Sequence, residues 1–200
     1  LKAINAATTG VISLNLATKA ANFSDTAANL VAAFSGITTH TGDLTITGGA
    51  ATIPELVVIN AATTGGITLS AATIAANFSG TAANLAAAFS GITTHTGALT
   101  ITDAPSVAQL KAINAATTGA ITLNDTTGAL SGSAADLVLA FAGTVTEHTG
   151  TVAITDTHDL AQLKSINEAS TGTITLNDYT VVLSGSSADV AAALSGTFAS

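Results

Sequence analysis

The chain has no cysteine, no methionine, no tryptophan and no arginine, one tyrosine and two prolines. Without cysteine no disulfide can form, and thiolate metal centres and thiol redox chemistry are excluded. Lys2, Lys19, Lys111 and Lys164 are the whole basic complement. They form no cluster, so the chain lacks the cationic surface that nucleic acid or an anionic membrane would need. Charge of either sign is scarce: 8% of residues are charged and the formal net charge is −8. Long apolar runs are missing too. Mean hydropathy is +0.57, but Ala, Gly and Thr interrupt every run short of the roughly 18–20 residues of a membrane span, so membrane insertion is not expected. There is no Gly-x-Ser-x-Gly and no phosphate-binding loop, and the expectation is that the protein is not an enzyme.

What the chain has instead is repetition. LKAINAATTGAITL at Leu110 recurs as LKAINAATTGVISL at Leu1, LVVINAATTGGITL at Leu56 and LKSINEASTGTITL at Leu163. The motif isoleucines Ile4, Ile59, Ile113 and Ile166 are 55, 54 and 53 residues apart. A second block of the type TAANLAAAFSGITTHTGALTIT follows each copy, and the fourth stops at GTFAS. The chain therefore reads as one array with units 1–55, 56–109, 110–162 and an incomplete 163–200. The expectation is a segment of a longer array, or a subunit whose missing edge a neighbour supplies.

Each unit has the same local grammar. Ser106 with Gln109 is a capping box, matched by Thr52 with Glu55 and Asp159 with Gln162; the first side chain takes an orphan amide and the second reaches back. Val107, Leu110 and Ile113 then form one apolar stripe, which predicts a helix over 107–116. Gly10, Gly65, Gly119 and Gly172 are expected to stop these helices in the left-handed conformation. Ile121, Thr122 and Leu123 alternate as a half-buried strand, as do residues 12–14, 67–69 and 174–176, and 180–183 is a candidate extra strand. A second helix starts at Ser133 or Ser186, with Thr26 and Thr81 as weaker caps, and closes at Gly36, Gly91, Gly143 or Gly196. Its apolar pairs are Leu30/Phe34, Leu85/Phe89, Leu137/Phe141 and Val190/Leu194. Residues 44–47, 99–102 and 152–155 give the second strand.

Strands joined by helices favour parallel pairing with right-handed crossovers. The fold class expected is therefore α/β: a repeat solenoid of parallel strands with short Ala-rich helices on one side. The alternative is a parallel β-helix in which the Ala-rich segments are extended.

Three residue sets are candidates for chemistry. Thr45, Thr47, Thr68, Thr100, Thr102, Thr122, Thr155 and Thr175 form a ladder that could order water or ice or stack on another filament; Thr also simply suits the solvent face of a strand. Asp103, Asp125, Asp156 and Asp178 recur at strand ends. They are the calcium candidates, although no Gly-rich Asp nonapeptide is present and caps or turns account for them equally well. His40, His95 and His148 share one repeat position and read either as a metal or pH-sensitive row or as turn residues packed on the next unit; His158 stands alone. No other cofactor is expected.

The pattern ITD…LAQLKAINAATTGxITLND…LSGSAADL…HTGTVxITD, clearest over residues 97–196, resembles the tandem repeats of very large exported proteins of marine cyanobacteria and related bacteria. In the first two units Gly48 and Ser70 depart from it. The resemblance implies a cell-surface or extracellular setting and no catalytic residues. The functional expectation is a structural repeat protein of a cell surface or extracellular filament that self-assembles end to end or laterally. The alternatives are the stalk of an adhesin or glycan-binding surface protein, with glycan as its partner, and an ice-binding Thr-lined solenoid.

Overall fold

A computed structural model describes residues 1–199. In chain order the elements are α1 Lys2–Ala6, α2 Leu16–Ala20, β1 Phe23–Thr26, α3 Ala27–Phe34, β2 Leu44–Thr47, α4 Ile53–Ala62, β3 Ile67–Thr68, α5 Ala71–Ala75, β4 Phe78–Gly80 and α6 Ala82–Ala88. They continue as β5 Leu99–Ile101, α7 Val107–Ala116, β6 Ile121–Leu123, β7 Leu130–Gly132, α8 Ala134–Ala140, β8 Val152–Ile154, α9 Leu160–Ala169, β9 Ile174–Leu176, α10 Ser187–Ala193 and β10 Phe198–Ala199. None of these helices is long and apolar enough to cross a membrane.

The chain is α/β, with three open, wholly parallel sheets ordered β1-β2-β3, β4-β5-β6 and β7-β8-β9-β10. Leu44 faces Phe23 and Ile67, Leu99 faces Phe78 and Ile121, and Val152 faces Leu130 and Ile174. Single parallel bridges pair His40 with Thr63, His95 with Thr117 and His148 with Ser170, just before the central strand of each sheet. Apart from the short helices α2 and α5, the helices touch in chain order, α1 on α3, α3 on α4, α4 on α6 and so on to α9 on α10.

The caps explain why the helices start where they do. Both halves of the capping box form at α4, α7 and α9, and at α4 a proline in the first turn presets the backbone angle. Thr26, Thr81, Ser133 and Ser186 each accept the amide three residues on. The buried stripe Val107, Leu110, Ile113 and Ala116 lies on α7 as its spacing requires. Along the strands Leu44 and Ile46, Leu99 and Ile101, and Val152 and Ile154 are buried, while the residues between them are not. Together these side chains belong to one apolar core. The Ala-rich segments are helical, so the extended β-helix alternative does not hold.

Four expectations need correction. Gly36, Gly91, Gly143 and Gly196 close their helices as expected, the first three with positive φ, but Gly10, Gly65, Gly119 and Gly172 do not take the left-handed conformation expected of them. Helices α4, α7 and α9 end instead on the extended residues Thr63, Thr117 and Ser170. Residues 12–14 and 180–183 form no strand. Strands β1 and β4 and the short helices α2 and α5 arise where the sequence carries no clear period.

Candidate functional site

The recurring motif INAATTG and the recurring HTG meet between neighbouring segments of the chain, so the site to build is that junction. It has three side-chain columns.

The first is asparagine. The last carbonyls of a helix have no intrahelical partner. Asn114 Nδ2 donates to the carbonyls of Leu139, Ala140 and Ala142 at 3.0, 3.1 and 2.6 Å, at the end of α8. Asn5 donates to Ala32, Ala33 and Ser35 at the end of α3, and Asn60 to Ala88 and Ser90 at the end of α6. Asn167 donates to the carbonyl of Ala192 and to Ser195 Oγ. Each motif asparagine is thus the C-terminal cap of the helix that packs next to its own: α3 for Asn5, α6 for Asn60, α8 for Asn114 and α10 for Asn167. Asn114→Ala is expected to cost about 1–3 kcal/mol by leaving these carbonyls unpartnered. Chemical denaturation reads the loss, and an unchanged midpoint would refute the role.

The second column is histidine. His40 is fully buried, with Nε2 2.9 Å from the carbonyl of Ala21 and Nδ1 3.1 Å from Thr63 Oγ1. His95 repeats this on Ala76 and Thr117 at 2.9 and 3.0 Å. A carbonyl only accepts, so Nε2 carries the proton; Nδ1 then only accepts, and the one hydroxyl proton of Thr63 or Thr117 is shared between it and the carbonyl of Gly42 or Gly97, so that each ring ties three segments together. Phe23 and Phe34 flank His40 at 5.5 and 4.9 Å between ring centroids; Phe78 and Phe89 flank His95 at 5.5 and 4.8 Å.

His148 differs. Leu130 stands where Phe23 and Phe78 do, and Ser170 stands where Thr63 and Thr117 do. Ser170 Oγ donates to the carbonyl of His148, and neither ring nitrogen makes a hydrogen bond of good geometry. Ser170→Thr is expected to supply the missing bond and raise stability by about 1 kcal/mol. A lower thermal midpoint would show that the third junction is built otherwise. His158 is also buried, with Nδ1 unpartnered.

Burial holds His95 and His148 below the ordinary value of 6.5, while the Ala76 backbone at His95, and the Thr151 backbone and Asp125 carboxylate at His148, pull the other way. Their folded pKa lies below the unfolded one, so their contribution is complete above about pH 6.5 and is lost as pH falls through the lower folded values. The thermal midpoint should be level above that pH and fall below it, with a shallower fall in His95→Gln. A profile flat down to pH 5 would contradict this.

The third column is glycine. A Cβ on Gly65 would lie 2.3 Å from the carbonyl oxygen of Gly42; on Gly119, 2.1 Å from that of Gly97; on Gly172, 1.7 Å from that of Gly150. Gly42, Gly97 and Gly150 in turn meet the backbone of Ala21, Ala76 and Thr127 at 2.3, 2.0 and 2.3 Å. Close approach of the neighbouring backbone excludes a side chain here.

The threonine ladder is partly assembled. Thr45 lies opposite Thr68 and Thr100 opposite Thr122, but Thr175 faces Ala153. Thr47 lies opposite Thr26. Thr102 and Thr155 donate their amides to the carbonyls of Gly80 and Gly132. Thr47, Thr68, Thr102, Thr122 and Thr155 are exposed; Thr45, Thr100 and Thr175 are half-buried.

The four aspartates do not come together. Asp103 Oδ1 accepts the first amide of α6, from Ala82, and Asp156 Oδ1 that of α8, from Ala134. Each sits where a helix N-terminus favours an anion. Asp125 Oδ1 accepts from the amide and hydroxyl of Thr127 and the amide of Gly128; Asp178 Oδ1 accepts from the hydroxyl and amide of Thr180. These bonds hold both carboxyls below the usual carboxylate range. Among the described residues no group of three His, Cys, Asp or Glu side chains converges. Lys111 and Lys164 are ion-paired to Asp136 and Asp189.

Repetition of Asn5, Asn60, Asn114 and Asn167 was the one sequence signal for the asparagine column, and nothing in the sequence separates it from helix propensity. No family model, no curated protein and no solved structure matches the chain.

Proposed function

We propose that the chain is a structural repeat protein: an α/β solenoid whose units stack to form an element of a cell surface or extracellular filament. The observation that carries this reading is the use made of the recurring residues. Asparagine, histidine, threonine and glycine of the two motifs each bind a neighbouring segment of the same chain. An active site breaks a repeat at one place, whereas here the asparagine bonds and the glycine contacts recur at every junction and the histidine ring bonds at His40 and His95. The reading further rests on strand pairings that always reach a segment 21–24 residues away and on helices that, α2 and α5 apart, touch in chain order. In such a stack each unit depends chiefly on its neighbours. The resemblance to large exported repeat proteins agrees with an extracellular setting, and no reaction is assigned.

The test is to lengthen the chain by a second copy of residues 56–109 and image both proteins by negative-stain electron microscopy, with calcium and with a chelator. Rods that grow by a fixed increment are expected; a rounder particle of larger diameter would overturn the reading. Rods that persist in chelator would fit the structural employment of the four aspartates, and collapse would return calcium to them.

The cross-strand register of Thr45 with Thr68 and Thr100 with Thr122 favours ice binding as a second reading. It requires shaping of ice crystals that is lost in Thr100→Trp, and no effect on ice at high protein concentration would end it.

A further inference from the structure

Two triplets, Asn22-Phe23-Ser24 and Asn77-Phe78-Ser79, hold the same place in successive units, at the start of β1 and β4. In the other two units Ala129 and Val182 replace the asparagine. Asn22 Oδ1 accepts the amide of Asp43 at 2.8 Å, and the Phe23 amide donates to the Asp43 carbonyl at 3.0 Å. Asn77 and Phe78 grip Ala98 in the same way, at 2.8 and 3.0 Å. Each carboxamide is therefore fixed by its oxygen. Its nitrogen donates to no protein group among the described residues, and both asparagines are exposed. Each phenylalanine packs on a histidine, at 5.5 Å between ring centroids. Alternation along extended chain then sends the asparagine and the serine on either side of it to the opposite face. Ser24 and Ser79 are exposed too, and their hydroxyls make no hydrogen bond among the described residues.

We propose that Asn22 and Asn77 are acceptor sites for an N-linked glycan. The proposal rests on the extracellular part of the reading above. An asparagine with Ser or Thr two residues on, and no proline between, is the substrate of an oligosaccharyltransferase. Here the hydroxyl and the free amide nitrogen stand on one face. The donor is an oligosaccharide carried on a polyprenyl pyrophosphate. Asn Nδ2 gives up a proton and bonds to C1 of the first sugar; the bond from C1 to the pyrophosphate breaks, and the pyrophosphate leaves with the electron pair. The product is still an amide, so Oδ1 goes on accepting from Asp43 or Ala98 and the fold is undisturbed. The position also has a use. Strand β4 is at the edge of its sheet, and an exposed edge is a template for pairing with another chain. A bulky polar glycan at Asn77 closes that edge to lateral pairing. Asn124-Asp125-Thr126 is a third triplet of this kind, but the Thr126 hydroxyl is bonded to that of Thr149 at 3.0 Å, and it is not assigned.

The experiment is mass spectrometry of the full chain isolated from the cells that make it, with fractionation of those cells and fragmentation that keeps a glycan on its residue. A mass excess in sugar units is expected at both asparagines. Ser79→Ala removes the acceptor triplet and leaves the Asn77 bond to Ala98 in place. It should lose the glycan at Asn77, keep that at Asn22 and leave far-UV circular dichroism unchanged. If that variant does not fold, the masses of the unaltered protein decide. Bare Asn22 and Asn77 in protein recovered from outside the cell would overturn the proposal and leave the stack reading standing. Sugar confined to Asn124 or to hydroxyl side chains would also overturn it, as would a glycan that persists at Asn77 in Ser79→Ala. Bare protein found only inside the cell would sink the extracellular setting and the proposal together.

Discussion

Gly119→Ala should be among the most damaging single-methyl changes in the chain. The added Cβ would stand 2.1 Å from the carbonyl oxygen and 2.5 Å from the carbonyl carbon of Gly97, both backbone atoms of a neighbouring segment. No rotamer change relieves a Cβ clash, so the two segments must separate. Separation stretches the bonds on either side of the contact: Thr117 Oγ1 to the Gly97 carbonyl at 3.0 Å and His95 Nδ1 to Thr117 Oγ1 at 3.0 Å. The expected cost is about 3 kcal/mol or more, the upper end of overpacking effects. In a chain of this length it lowers the thermal midpoint by roughly 10 °C. Gly49→Ala is the control. It has no heavy atom within 4 Å and no positive φ, so it should be neutral or stabilising by a few tenths of a kcal/mol to about 1 kcal/mol through the unfolded state. Calorimetry of the pair checks both signs; similar midpoints would mean that the segments are not in contact.

Ile113→Ala is the second large effect, and its value lies in comparison with Ile4→Ala. The two isoleucines hold the same place in the motif. Ile113 is 0% exposed and Ile4 is 60% exposed. Truncating a fully buried isoleucine removes its transfer energy and leaves a cavity, for a cost of about 2–5 kcal/mol. Ile4 has much less to lose, and its truncation should cost under about 1 kcal/mol. Urea denaturation of the two variants measures the difference. Equal losses would show that Ile4 is covered in solution by something that buries it as Ile113 is buried.

The elements legible in the sequence are those set by neighbours along the chain. The helix over 107–116 follows from Ser106, Gln109 and the Val107, Leu110, Ile113 stripe, and it forms with the expected ends. Strands β5, β6 and β9 follow from alternation of apolar and β-branched residues. What could not be read depends on a segment 21 to 30 residues away. Gly36 and Gly119 are the same residue type after a helix, but one needs a positive φ and the other a bare Cα against foreign backbone. Asn114 looks like an ordinary helical residue until the end of α8 is placed beside it. Asp103 looks like a free carboxylate until Ala82 offers its amide. Residues 12–14 have a strand's alternation and form none, because alternation sets a strand's faces and not its partner.

Every strand pairing in the described chain joins residues 21–24 positions apart. No pairing has to wait for a distant part of the chain, so each step of folding closes a loop of nearly the same modest entropy. Assembly can begin at any junction and spread in both directions. The same spacing sets a mechanical unit. Pulled by its ends, such a chain gives way one junction at a time, and each release yields about 22 residues, or roughly 75 Å of extended chain. A tether made this way lengthens in small equal steps under load, and each step can refold when the load is removed.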